Sequence, residues 1–74
     1  MCRNIKTLFN FEPLVSDEEI RDAAQQFVRK ISGFNRPSKV NEATFIKAVD
    51  GVTAVCRDLL DSLVTNAPPR GRTR

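Results

Sequence analysis

Apolar residues recur along this chain at helical intervals. From Ile20 they follow at Ala24, Phe27 and Ile31, in steps of four, three and four, and Ala23 and Val28 widen the stripe. A second series, Phe45, Val49, Val52, Cys56, Leu59 and Leu63, steps by four, three, four, three and four. Such spacing keeps side chains on one face of a helix, and the longer series makes a heptad seam. The pattern predicts an all-α fold with helices over about residues 17–32 and 39–65.

Local signals fix the ends. Ser16 precedes Asp17, Glu18 and Glu19, a serine with glutamate three positions on. This is a capping box, in which the hydroxyl accepts from the Glu19 amide and the Glu19 side chain reaches back. The three acids complement the helix dipole, and Arg29 and Lys30 do the same at the other end before Gly33 stops the helix. An ion pair between Asp17 and Arg21 is expected along the helix. Residues 33–38, GFNRPS, read as a loop, with Ser38 the N-cap of the second helix, or Asn41 or Thr44 for a later start. Asp50-Gly51 resembles a turn signal, but the seam keeps its phase through Gly51. One continuous helix is therefore expected, at a cost of about 1 kcal/mol for the glycine. Asn66, Ala67 and the Pro68-Pro69 pair end it.

Residues 1–15 have no clean period. They read as an arm with about one helical turn, docked by Leu8, Phe9 and Phe11 and given an extended exit by Pro13. The domain organisation is then a single helical domain over residues 1–66 and a disordered basic tail over 67–74.

At 1.5 Å per residue the helices are about 24 Å and about 40 Å long. An antiparallel helical hairpin leaves a third of the second helix uncovered, and Ile46, Ala48, Val55 and Leu60 broaden its apolar face. Either the docked N-terminal arm covers the surplus or a second molecule does. A chain with so few ordered residues is marginal alone, so the expectation is a homodimer, two hairpins forming a four-helix bundle. The core or interface is assigned to Phe9, Phe11, Ile20, Phe27, Ile31, Phe45, Val49, Val52, Leu59 and Leu63.

Composition narrows the chemistry. The 74 residues contain no His, Trp or Tyr, which removes the commonest general base, the commonest nitrogen ligand for a metal and the largest stacking platforms. No apolar run approaches the roughly 18 residues of a membrane span, and Arg3 and Lys6 are followed by no signal-type hydrophobic segment. The expectation is a cytoplasmic protein with no membrane partner and with Cys2 and Cys56 reduced. The net charge is +3, but the excess sits on Arg70, Arg72 and Arg74. Before residue 70, nine Lys and Arg balance nine Asp and Glu. A nucleic-acid surface ordinarily carries its excess on the fold.

The strings MCRNIKTLFNFEP, VRKISGF, RPS, NEATF, AV and RDLLDSL resemble a small bacterial domain-of-unknown-function family, number twenty-two seventy-seven, over about residues 1–69. The chain departs at Leu14, where the resemblance implies a second proline after Pro13. The resemblance implies a short, soluble, stand-alone protein and brings no catalytic residue with it.

Four constellations carry a chemical reading beside a plainer one. Removal of Met1 would leave Cys2 with its thiol beside an α-amine and Arg3, an arrangement suited to thiol redox or metal chemistry. Cys56 on the seam reads as a small core hydrophobe. Arg29, Lys30, Ser32, Arg36, Ser38 and Lys39 gather at the interhelical corner, where the start of the second helix offers free amides to an anion. Their plainer roles are capping and solvation. Glu18 and Asp22 share a face suited to a hard cation, though dipole complementation accounts for them. The two helices lack the polar first turns of a DNA recognition helix. The function read from the sequence is a non-enzymatic, self-associating interaction module, without cofactor or metal. The alternatives are anion or RNA binding through the corner and the arginine tail, and thiol chemistry at Cys2.

Overall fold

The fold is taken from a computed structural model, which describes residues 5–71. Two helices pack on one another, and a two-stranded parallel sheet lies beside them. In chain order these are β1 (Phe11–Glu12), α1 (Asp17–Ser32), a single 3-10 turn (Lys39–Asn41), α2 (Glu42–Ser62) and β2 (Arg70–Gly71).

Helix α1 has the boundaries its end signals predict. The Ser16 hydroxyl accepts from the Glu19 amide at 3.2 Å, and the Ser16 amide donates to Glu19 Oε1 at 2.8 Å. Gly33 adopts the left-handed conformation with φ 79°, and its amide donates to the Arg29 carbonyl at 2.9 Å. That conformation costs glycine nothing and opposes any residue with a Cβ.

Helix α2 is one rod through Gly51, as the unbroken phase requires. It is shorter than expected at both ends. The Ser38 carbonyl accepts from the Asn41 amide at 2.9 Å, which winds residues 39–41 into a tighter turn, and the α-helix starts at Glu42. At the other end Leu63 is already extended, with ψ 143°. Asp58 and Asp61 lie in the last turns, where the dipole disfavours anions. Downstream, the Thr65 hydroxyl accepts from the Ala67 amide at 3.0 Å, a local turn that competes with helix.

The core is compact and lies between α1 and the first turns of α2. Ile20, Ala24, Val28, Phe45 and Val49 are buried, and Val52 packs against them half-buried. The α1 face is thus rotated from the expected one: Val28, assigned to the flank, is buried, while Phe27 and Ile31 remain exposed at 44% and 69%. On α2 the seam is buried only in its first turns, because Leu59 and Leu63 run beyond the contact and are exposed. These four residues are not part of the chain's own core.

Charges bind the helices at their edges. Asp17 meets Arg57 at 2.8 Å, and Arg21 Nη1 meets Asp50 at 2.6 Å. The Asp17–Arg21 pair expected within α1 is therefore replaced by two pairs across to α2.

The arm and tail depart most from expectation. The arm docks as predicted, with Leu8, Phe9 and Phe11 half-buried, but residues 5–15 contain no helical turn. Asn10 takes φ 66°, which asparagine tolerates better than most residues. Its carbonyl accepts from the Arg70 amide at 2.8 Å, and its side-chain amide donates to the Pro68 carbonyl at 3.1 Å and to that of Ala67 at 3.4 Å. Phe11 and Glu12 pair in parallel with Arg70 and Gly71. Residues 67–71, assigned to a disordered tail, are thus held on the arm by hydrogen bonds. The remainder of that tail lies outside the described residues.

Candidate functional site

The uncovered part of the apolar seam is a feature that the fold leaves unexplained. Its centre is a hollow of about 240 Å³ between the helices, lined by Ile5, Ala23, Ala24, Phe27, Val52 and Cys56. Ala23, Phe27 and Ile31 follow one another at four-residue steps on α1. On α2, Val52, Cys56 and Leu59 continue the heptad register, and Leu63 follows as the C-cap. Ala23 and Phe27 of the first row and Val52 and Cys56 of the second line the hollow. Phe27, Ile31, Leu59 and Leu63 are exposed at 44%, 69%, 53% and 44%. Exposed large apolar side chains on both helices make this a candidate docking face.

Cys56 is a free thiol, half-buried in that hollow. It behaves as a small apolar group among alanine, valine and phenylalanine. Cys2 and Arg3 lie outside the described residues, as does the thiol chemistry assigned to them.

The interhelical corner is brought together only in part. The Ser38 hydroxyl accepts from the Asn41 side-chain amide at 3.0 Å, and the Ser32 hydroxyl accepts from the Phe34 amide at 3.2 Å. Both hydroxyls thus serve the local backbone turns. Lys30, Arg36 and Lys39 are exposed. Arg29 lines a different feature, a groove along α1 shared with Lys6 and Asp22. The start of α2 carries Glu42 in its first turn, so a carboxylate already faces the positive end of the dipole.

The tail cations are likewise engaged where they are described. The Arg70 guanidinium lies 5.5 Å from the centre of the Phe11 ring, a cation–π distance. Among the described residues, no group of three or more Cys, Asp or Glu is placed to hold a metal ion. No described helix is long and apolar enough to cross a membrane.

Sequence reasoning missed the groove between the arm and α1. Its helix side, Glu19, Asp22, Gln26 and Arg29, is the polar face of α1. That face reads as solvated until the arm is placed over it. No local pattern announces that Lys6 and Leu8 will return to form the opposite wall.

The family model described as "Uncharacterized conserved protein (DUF2277)" matches residues 1–74. The chain belongs to this family. The strings that carried the resemblance fall on DUF2277 elements with distinct jobs. VRKISGF closes α1 at its glycine cap, NEATF opens α2, and RDLLDSL forms the exposed last turns of the seam. The departure at Leu14 falls on an exposed position just before α1. The family description assigns no activity, and no curated protein or solved structure matches the chain.

Proposed function

We propose that this DUF2277 chain is a non-enzymatic, cytoplasmic interaction module that works as a homodimer. The observation that carries the reading is the apolar surface left exposed, Leu59 and the C-cap Leu63 at the end of α2 and Phe27 and Ile31 beside the buried face of α1. The ion pairs Asp17–Arg57 and Arg21–Asp50 match earlier residues of α1 with later residues of α2, which supports an antiparallel hairpin. Two such hairpins laid seam to seam make a four-helix bundle, in which each hollow receives apolar side chains of the other copy. The small size of the core supports the same reading, because a chain this short gains much of its apolar burial by association.

Sedimentation equilibrium at micromolar concentration tests the proposal. A species of twice the 8.3 kDa chain mass is expected, and Leu59→Glu returns it to the single-chain mass with the helical circular dichroism retained. A wild-type protein that sediments as a single chain overturns the proposal.

A further inference from the structure

A second concavity lies away from the apolar seam and has the opposite character. It is a groove of about 470 Å³ between the arm and α1, in which Lys6 of the arm faces Glu19, Asp22, Gln25, Gln26 and Arg29 of the helix. Two cations, two carboxylates and two amides share one space of the size that holds a small molecule.

Arg29 is the unusual member. The other two arginines that the helices bring together, Arg21 and Arg57, each hold an aspartate within 2.8 Å. Arg29 holds none. Its Nε, like that of Arg57, is shut off from solvent and meets no hydrogen-bond acceptor among the described residues, but Arg57 has its aspartates and Arg29 has only Glu19 and Asp22 lining the same groove. A donor atom buried without a partner costs stability, and an incoming acceptor that reaches the Nε–H recovers part of that cost. Lys6 and Asp22 also take no ion pair among the described residues. Glu19 is already engaged by the Ser16 cap.

We infer that this groove is a binding site for a small zwitterion of the peptide or amino-acid class. Its carboxylate lies on Arg29 and Lys6, its ammonium on Asp22, and its polar body against the amides of Gln25 and Gln26. The charges select this class. Asp22 lines the same space as Lys6 and Arg29, so a bare polyanion loses beside it part of what it gains on the two cations. A molecule with opposite charges at its two ends satisfies both sets. The spacing agrees: Asp22 and Arg29 are seven residues apart, about 10 Å along the helix axis. A helical side chain leans toward the N-terminus, which shortens that gap for a residue as long as arginine. The remaining span suits a dipeptide better than a single α-amino acid.

Nuclear magnetic resonance with glycylglycine as the probe tests this directly, because the Arg29 Nε–H gives its own signal. A saturable shift of that signal and of the Gln25 and Gln26 side-chain amides is expected at roughly millimolar concentrations, the range of a weak small-ligand complex. Asp22→Asn, at an exposed position, weakens the complex by about tenfold, the loss of one charge-assisted hydrogen bond. Arg29→Gln abolishes it while the backbone spectrum keeps its dispersion. Absence of a saturable shift overturns the inference. So does an unchanged affinity in Asp22→Asn, or inorganic phosphate binding more tightly than the dipeptide, since either result means that only one sign of charge is recognised. The dimer seam takes no part in this experiment.

Discussion

Asp17 opens α1 and accepts a hydrogen bond from Arg57 of α2 at 2.8 Å, in place of the arginine four residues along its own helix. That arginine, Arg21, reaches α2 as well and binds Asp50. Both carboxylates and Arg21 are largely exposed, so these contacts set the alignment of the helices more than they stabilise it. Asp17→Asn is expected to cost about 0.5 kcal/mol, the range of exposed ion pairs. Urea unfolding measures it, and the difference from wild type vanishes in about 1 M salt, where charges are screened beyond about 3 Å.

The interior is sensitive in a different degree. Ile20 is wholly buried, and Ile20→Ala removes a large share of a core of five buried residues. A loss of about 2–4 kcal/mol is expected. In a domain this small that lowers the thermal midpoint by roughly 4–8 °C per kcal/mol, read by circular dichroism at matched protein concentration.

Two glycines respond in opposite directions to the same substitution. Both have open space where a Cβ would stand, so only the backbone distinguishes them. Gly33 sits at φ 79°, and Gly33→Ala is expected to destabilise by about 1 kcal/mol. Gly51 lies inside α2, and Gly51→Ala is expected to stabilise by about 0.5–1 kcal/mol. Chemical denaturation of the two variants side by side checks the signs.

Asn10 joins the arm to the tail through both its carbonyl and its side chain. Asn10→Gly keeps access to the left-handed backbone but loses the side-chain donors, whereas Asn10→Ala loses both. Hydrogen exchange at the Arg70 amide is expected to quicken in each and most in Asn10→Ala. Amides in the middle of α1 keep their protection, because the core does not touch this contact.

The legible parts of the fold were those specified by near neighbours. Ser16, Glu19 and Gly33 define α1 within a few residues of where they act, so its boundaries could be read directly. Phe45 and Val49 were assigned to the core for the same reason, since period alone puts them on the inner face. Period cannot say how far along a helix its partner extends. Leu59 and Leu63 lie beyond the contact, and Phe27 and Ile31 lie beside the face that Ile20, Ala24 and Val28 bury. The pairing of Phe11 with Arg70 joins residues far apart in sequence and leaves no local mark in either. The groove containing Arg29 was hidden likewise, because one of its walls is a helix face that reads as solvent-exposed and the other is an arm without period.

The parallel pairing of Phe11–Glu12 with Arg70–Gly71 encloses both helices within one long loop of chain. Closing so large a ring is entropically costly, and few hydrogen bonds are available to offset it. The helices form their own contacts over shorter distances and need not wait for this closure. The clasp is therefore the last part of the molecule to zip and the first to open. A protease that samples brief openings would cut beside Pro69 well before it reached either rod.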